Sequence, residues 1–342
     1  MIAKKLSFKQ QKLIVVFLGI ALLLMGIICL CIGRYSVNPL EAIEIIFKSI
    51  IGDIEDVNPV KLSVVTKIRL PRVLMSIIIG MGIAGAGTSY QAIFSNPLVS
   101  PDILGVSSGA GFGAALGILI STSSNIFTIQ GMALTFGILS VVIVLAISRI
   151  QKKTELFVLV LSGVIVSSLF EALVSLIKYV SDPQDKLPAI TVWLMGSLAN
   201  SSYNDLLAAA CVILPCLAVL LILRWKMNLL SLDEEEAISL GINVKKLRIV
   251  IIVISTLITA VSVSLCGIIG WIGLVIPHVA RLFIGTDHRV LVPSSIFLGG
   301  IYLMIIDTIA RAATSAEIPI SILTAIIGAP FFAWLLRKTS KS

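Results

Sequence analysis

The sequence predicts an all-α polytopic membrane protein with about ten transmembrane helices in a single domain covering residues 1–342. Apolar residues make up 58% of the chain and charged residues only 13%, and the mean hydropathy is +1.09. This is too apolar for a soluble core and too long for a single span. Segments such as residues 13–32 are apolar on every face at a length that crosses a bilayer, which excludes a membrane barrel of alternating strands.

The candidate spans are apolar runs bounded by charged residues or by Pro, Gly and Asn clusters. They cover residues 13–33, 70–91, 103–120, 127–148, 156–179, 204–224, 247–267, 271–284, 292–310 and 321–337. Because this number of spans is even, both termini are expected on the same side of the membrane.

The basic residues indicate the orientation. Most of the 26 Lys and Arg lie in short clusters at the ends of apolar runs on the side of the two termini, as expected for a cytoplasmic face. The net charge of +8 is therefore a topology signal, and we expect no nucleic-acid partner. The first run follows a lysine cluster, but it is too long for a signal peptide and lacks a small-x-small cleavage site, so we interpret it as a span.

The longest polar stretch after the amino terminus is residues 231–248, SLDEEEAISLGINVKKLR. Ser231 and Glu234 have the spacing of a capping box, and Gly241 offers a left-handed helix end, so we predict short cytoplasmic helices within about residues 231–243. Asn243 can cap the next helix. The stretch is either a solvated connection between two spans or a docking element for a cytoplasmic partner, and its pattern leaves both open.

Two further segments interrupt the spans. FSNPLVSPDILG contains Pro97 and Pro101, which end one helix and begin the next, while Asn96 and Ser100 can bond the freed backbone groups. This pattern predicts a tight turn at the inner face. On the outer side, about residues 189–199 form an apolar run too short to cross, which predicts a short helix at the outer mouth.

The sequence contains no catalytic motif. It has no GxxxxGKS/T P-loop and no HExxH, and none of its five cysteines forms a CxxC pair or neighbours a histidine at ligand spacing. An intramembrane enzyme would need a nucleophile and a base, and the sequence offers no plausible pair. We therefore expect no metal site, no nucleotide bound by this chain and no enzymatic activity.

A few ionisable residues fall within the predicted spans, where an unpaired charge costs about 3 kcal/mol or more. Asp307 has Arg311 one turn later, which predicts a local ion pair. Glu171 has no partner on its own helix, so it either lines a wet pathway or pairs with a neighbouring helix. His278 is expected to form a hydrogen bond across helices.

Three arginines lie at outer helix ends, against the positive-inside bias. They are Arg69, Arg72 and Arg311. Snorkelling anchors are one interpretation. A positive outer rim that captures an acidic protein is the other.

A series of longer motifs occurs over about residues 62–337: RLPR at 69–72, QAIFSNPLVSPDILGVSSGAG at 91–111, EAISLGI at 236–242, GWIGLVIPHVARL at 270–282, TDHRVLVP at 286–293, DTIAR at 307–311 and AEIPISILTAIIGAPFFAWLL at 316–336. Together these motifs resemble the FecCD and BtuC-like permease family. Its members are the membrane subunits of type II ABC importers for ferric siderophores, heme and cobalamin.

The resemblance implies the type II ABC importer permease fold and a homodimer, or a pair with a close paralogue, with the substrate pathway along the dimer axis. Two cytoplasmic ABC ATPase subunits, which bind ATP and Mg²⁺, would dock beneath the dimer, and an extracytoplasmic binding protein would deliver the substrate. The location implied is the bacterial inner membrane, with both termini in the cytoplasm. The missing P-loop agrees with ATP hydrolysis by separate subunits.

The resemblance also assigns roles to individual residues. Arg69, Arg72 and Arg311 are expected to meet acidic groups of the binding protein. Asn96 and Leu98, in the NPL turn, are expected at the inner gate. The expected ATPase-coupling residues are Leu232, Asp233, Glu234, Glu235, Glu236, Ala237, Leu240 and Gly241.

One departure from the family bears on the substrate. Before the fifth span, where the cobalamin permease has small hydroxyl residues at its other inner gate, this chain has Leu156 and Phe157. We therefore favour an iron-siderophore complex, with cobalamin or heme as the alternative within the family. A rival of another class is a proton- or ion-coupled secondary transporter that uses Glu171 as its relay.

Overall fold

The computed structural model describes residues 7–33, 35–53, 56–121, 125–149, 156–232, 234–314 and 316–339. Within these ranges the secondary structure is helical, without strands, which confirms the all-α class. The helices are α1 (Phe8–Cys31), α2 (Pro39–Ile51), α3 (Pro59–Leu62), α4 (Leu70–Ile93), α5 (Val106–Ile120), α6 (Ile126–Ser148), α7 (Leu156–Val180), α8 (Lys186–Leu194), α9 (Tyr203–Met227), α10 (Glu234–Ser239), α11 (Val244–Cys266), α12 (Ile272–Ile284), α13 (His288–Ala312) and α14 (Ile320–Thr339). A π-helix covers Ser63–Arg69, and 3₁₀ turns cover Pro101–Leu104 and Asn228–Ser231.

Every predicted span corresponds to a helix. Among the described residues, seven helical segments are long and apolar enough to cross a membrane, and α5, α12 and α14 contribute three shorter apolar helices. The second span is longer than predicted because α3, the π-helix and α4 run on as one segment from Pro59 to Ile93. The first begins at Phe8 instead of residue 13, because Ser7 and Gln10 form a capping box before it.

Helix α2 lies between the first two spans and was not predicted. Its signals are nevertheless in the sequence: the Asn38 side chain accepts from the Leu40 N–H, Pro39 is the first helical residue, and Gly52 ends the helix at φ +87°. The buried residues of α2 are Ala42 and Ile45, which lie about one turn apart on the same face. A search for fully apolar runs overlooks such an amphipathic helix.

The short outer helix α8 covers Lys186–Leu194, whereas residues 189–199 were predicted. Gly196 adopts φ +71° and its N–H bonds to the Trp193 carbonyl at 3.1 Å, which ends the helix early. The chain beyond it bonds to the carboxyl end of α11, because the Ser197 N–H donates to the Cys266 carbonyl at 2.8 Å. The outer helix is therefore tied to the bundle at its carboxyl end.

Helices α4 and α13 form the centre of the bundle, and 72% of the apolar window of each is buried. They cross where Gly80 faces Gly299. A Cβ atom added to Gly80 would lie 2.3 Å from the Gly299 carbonyl oxygen. Small residues at this crossing bring the two backbones together, which is how helices associate in lipid, where packing drives assembly. The corresponding windows of α1 and α9 are only 17% and 22% buried, so these helices lie at the perimeter.

We predict that Gly80→Ala destabilises the protein, because the new methyl group forces α4 and α13 apart. The free energy of unfolding should fall by about 1–3 kcal/mol, the usual cost of overpacking. Gly131 on α6 is the matched control, since a Cβ atom added there meets nothing within 4 Å. Thermal unfolding in detergent compares the two alanine variants, and equal melting temperatures would contradict the close crossing.

Candidate functional site

The acidic stretch after α9 folds as the 3₁₀ turn Asn228–Ser231, followed by α10 and α11. The capping box predicted for Ser231 involves the side chain of Glu234, which lies outside the described residues. Ser231 belongs to the 3₁₀ turn, and its hydroxyl donates to the Asn228 carbonyl at 2.8 Å, so it faces back along the chain. Asp233 and the side chains of Glu234 and Glu235 lie outside the residues that the structure describes.

The carboxyl end of α10 has the predicted geometry. Gly241 adopts φ +79°. Its N–H bonds to the Ile238 carbonyl at 2.9 Å, and the Ile242 N–H bonds to the Ala237 carbonyl at 3.2 Å, which together form a Schellman motif. Asn243 caps α11 with its side-chain oxygen, also as predicted. Two well-defined helix ends therefore hold α10 in a fixed position ahead of α11.

One face of α10 packs against the rest of the bundle, and the opposite face is exposed. Ala237 is fully buried and shares a core cluster with Leu230 and Val244. On the outside, Ile238 and Leu240 are 57% and 58% exposed. Ile238 and Leu240 therefore form a candidate contact surface beside the anchored residue Ala237.

The turn after α4 lies against this region, because the Ser95 hydroxyl lies 3.5 Å from the Leu230 carbonyl. Asn96 accepts from the Leu98 N–H at 2.9 Å, as predicted, and fixes the turn. Leu98 is half exposed, at 51%. Ser100 makes no capping hydrogen bond with its side chain, so that prediction is wrong. The two predicted gate residues therefore lie at the same end of the bundle as α10.

Gln91 and Arg281 hold the turn from the core side, and the sequence analysis missed both. The Gln91 amide donates to the carbonyls of Val99 and Leu274, at 3.3 and 3.4 Å. Arg281 donates to the Gln91 side-chain oxygen at 2.9 Å. The sequence does show a polar residue at the end of each of two apolar runs, a glutamine in one and an arginine in the other, and such residues are candidates for a contact between helices. Together they connect the turn to α12.

Helix α7 presents a largely apolar face to the outside. Phe157 is 74% exposed, whereas Leu156 packs against the core. Glu171 is exposed on the same helix, and its carboxylate accepts from the Ser108 hydroxyl on α5 at 3.3 Å. The Glu171 carboxylate therefore contacts a neighbouring helix through a neutral hydroxyl group, while the side chain stays exposed.

The end of the bundle opposite α10 contains a buried charged cluster. Asp307, only 1% exposed, pairs with Arg72 at 2.8 Å. Arg72 also contacts Glu317 at 2.8 Å. The predicted local pair of Asp307 with Arg311 is present at 3.9 Å and is the weaker of the two contacts to Asp307. The principal partner comes from another helix because α4 and α13 are in direct contact.

The other two outer arginines bind backbone. Arg69 donates to the Leu30 carbonyl at 2.8 Å and to the Cys31 carbonyl at 3.2 Å, and Arg311 donates to the Cys29 carbonyl. These are the last carbonyls of α1, which lack partners within their own helix and carry the negative end of its dipole. Arg69 and Arg72 are each only 4% exposed. Their side chains are therefore buried within the bundle, which argues against snorkelling anchors at the lipid surface.

His278 does not form the expected hydrogen bond through Nδ1, which is buried without a partner among the described residues. Its ring instead packs edge-on against Phe332 of α14, with the centroids 6.3 Å apart. An aromatic contact therefore joins α12 to α14 at His278.

Comparison with known proteins settles the family. The model of the FecCD transport family matches residues 21–338. The chain belongs to this family. It is therefore a transport permease subunit of the ABC importer class, a multi-pass membrane protein that is not itself an enzyme.

Two relatives and one solved structure illustrate the similarity. The molybdate import system permease protein MolB of Haemophilus influenzae is 41% identical over 328 residues, covering 95% of this chain and 96% of the relative. An iron chelatin transport system permease protein of Helicobacter pylori is 44% identical over 276 residues, covering 81% and 83%. A solved metal-chelate type ABC transporter, in an inward-facing conformation, superposes with a TM-score of 0.85 at 40% identity, covering 95% of this chain and 99% of that one.

We predict that Arg72→Gln destabilises this FecCD permease strongly, because Asp307 loses the cation that best compensates its buried charge. The expected loss is about 3–5 kcal/mol in the free energy of unfolding. Lys48→Gln is the control, since Lys48 pairs with Glu44 at the surface of α2 and its removal should leave the melting temperature unchanged. If Arg72 served only to dock a binding protein, Arg72→Gln would weaken that binding without lowering the melting temperature.

Proposed function

We propose that this FecCD permease works as a homodimer, or with a close paralogue, and carries substrate along the dimer axis. Two ATPase subunits, which bind ATP and Mg²⁺, would dock on α10 at the cytoplasmic face, with both termini of the chain on that side. An extracytoplasmic binding protein would deliver the substrate to the opposite face. The observation that carries the proposal is α10 itself, anchored by Ala237 and exposing Ile238 and Leu240.

The proposed mechanism is mechanical. ATP binding and hydrolysis change the affinity of the ATPases for the outward-open and inward-open states of the permease. This difference in affinity shifts the permease from one state to the other. The α10 region contacts the turn of Asn96 and Leu98 through Ser95 and Leu230. Beyond that turn, the 3₁₀ segment Pro101–Leu104 packs closely on α7, since a Cβ atom added to Gly163 would lie 2.0 Å from the Ile103 carbonyl oxygen. Movement of α10 would therefore reach both predicted gate segments.

For the outer face we propose that acidic side chains of the binding protein enter the charged cluster. A cavity of about 360 Å³ lies there, lined by Tyr35, Glu317 and the three arginines Arg69, Arg72 and Arg311. The cluster holds more arginines than carboxylates, and Arg311 Nε is buried without a hydrogen-bond partner within the described residues. A carboxylate that reaches into the cavity would find a donor and a net positive potential.

For the substrate we propose an iron-siderophore complex. The outward face of α7, which would line the dimer-axis pathway, is apolar at Phe157, Leu161, Val164 and Leu169 and carries the carboxylate of Glu171. An organic chelate can contact apolar side chains, whereas a bare oxyanion would be repelled by the carboxylate. Molybdate is the second candidate, because the relative named for molybdate matches along nearly the whole chain.

We predict that Ile238→Asp combined with Leu240→Asp abolishes copurification of the ATPase subunits, because it replaces the exposed apolar contacts with charge. Ser239→Asp is the matched control, since it adds charge to an exposed position of the same helix without removing an apolar side chain. Pull-down from detergent extracts measures the effect, with the melting temperature as a check on folding. ATPases retained at normal strength by the double variant would disprove docking on α10.

We predict ATP-dependent uptake in proteoliposomes that contain the permease, its ATPases and its binding protein. Radiolabelled iron-siderophore should accumulate and radiolabelled molybdate should not, and the reverse result would assign the oxyanion. Uptake should survive a protonophore and the substitution Glu171→Gln. Uptake that stops with the proton gradient but continues without ATP would support the secondary transporter instead.

A further inference from the structure

A cavity of about 470 Å³ lies between α1, α9 and α13, and no step of the proposed transport mechanism uses it. Three cations line it, one from each helix: Lys12, Arg224 and Arg289. Its remaining walls are apolar and include Val16, Trp225 and Pro293. We call this cavity the basic pocket. It lies at the α10 end of the bundle, because α9 runs directly into the 3₁₀ turn that precedes α10.

The charges of the basic pocket are incompletely balanced. Arg289 pairs with Asp287 at 2.6 Å. Burial disfavours ionisation of that carboxyl group, but hydrogen bonds from Arg289 and Asn228 outweigh it and lower the pKa of Asp287 to about 2, so this pair stays ionised at neutral pH. Lys12 and Arg224 have no carboxylate within ion-pair distance among the described residues. The pocket therefore carries positive charge that the protein itself leaves uncompensated.

The cations are positioned by an aromatic ring. The Lys12 ammonium group and the Arg289 guanidinium group each lie 4.7 Å from the centroid of the Phe8 ring. Phe8 and Lys12 belong to the first turns of α1, and Arg289 to the first turn of α13, so the positive ends of two helix dipoles lie nearby. An anion in the pocket would be favoured by both the side chains and the backbone.

The pocket opens sideways from the bundle. Helices α1 and α9 are the least buried of the spans, and Val16 and Trp225 are 57% and 53% exposed at its edge. Tryptophan and basic residues are enriched where a membrane protein meets the headgroup layer. The cations therefore lie near headgroup depth, with an apolar groove running from them towards the hydrocarbon. A soluble phosphate would leave that groove unused, whereas a phospholipid fills both parts.

We propose that the basic pocket binds an anionic phospholipid of the leaflet on the α10 side, with the phosphate on Lys12 and Arg224 and an acyl chain along Val16 and Pro293. Basic pockets between transmembrane helices recognise acidic headgroups in this way. The bound lipid joins α1 to α9 and α13 beside the α10 region. This inference stands independently of the transported substrate.

Native mass spectrometry of the full-length chain, delipidated and then titrated with phosphatidylglycerol, tests the proposal. Lys12→Gln combined with Arg224→Gln should weaken binding of phosphatidylglycerol about 10- to 30-fold, as expected for the loss of two charges at the membrane surface. The matched control is Lys9→Gln combined with Lys226→Gln, which removes the same charge from the same two helices outside the pocket. The control should retain normal affinity.

A second pair of variants tests the groove without changing charge. Val16→Trp should fill the groove and weaken phosphatidylglycerol binding, whereas Phe17→Trp, at the next position, which is also exposed and does not line the pocket, should not. Inorganic phosphate at millimolar concentration should not displace the lipid. Equal lipid affinity of the pocket and control variants would overturn the proposal. Displacement of the lipid by inorganic phosphate alone would also overturn the proposal. If the pocket variants no longer form a dimer of this chain, the basic pocket would instead be a contact surface for a second copy, and the lipid proposal would be wrong.

Discussion

The ion pair between Arg72 and Asp307 is the contact on which the arrangement of the bundle depends. Both side chains are almost fully buried, where neither protein nor lipid can stabilise an unpaired charge. Helices α4 and α13 therefore adopt the register that brings Arg72 and Asp307 into contact. The small residues at Gly80 and Gly299 permit this register further along the same helix pair. Charge selects the alignment, and the absence of side chains lets the backbones approach closely enough to keep it.

The same demand for satisfied polar groups explains the irregular segments. The last carbonyls of α1 are bound by Arg69 and Arg311 from other helices. At the outer helix, the Ile320 N–H at the start of α14 bonds to the Gly196 carbonyl at 3.1 Å. Non-helical backbone in a membrane protein is tolerated where other protein groups bond it, and these contacts meet that condition. In both cases, the backbone groups left free at a helix end form hydrogen bonds that connect it to another helix.

Hydropathy predicts the spans of this chain because burial in lipid requires uniformly apolar helices, and length alone then separates them. It does not reveal α2, whose apolar side covers only one face. Local capping rules succeed at Gly241 and Asn243, where the cap depends on neighbouring backbone. They do not predict the 3₁₀ turn in which the Ser231 hydroxyl donates to the Asn228 carbonyl. Partners distant in sequence are the hardest to predict. Arg72 with Asp307, and Gln91 with Arg281, could be paired only once the helix contacts were known.

Transmission from α10 to the inner turn must rely on packing more than on polar contacts. On the core side, Gln91 and Arg281 hold the turn by several hydrogen bonds. On the α10 side, the polar link within the described part of the chain is a contact at 3.5 Å, which is at the limit of a hydrogen bond. Ala237 and Val244, however, are buried in one cluster with the core of α11. A push on α10 would therefore move α10 and the start of α11 as one packed unit, because close-packed side chains shift together and a long hydrogen bond simply breaks. The turn would then respond through α11 and α4, which pack against each other, and its bonds to Gln91 would determine how far it can open.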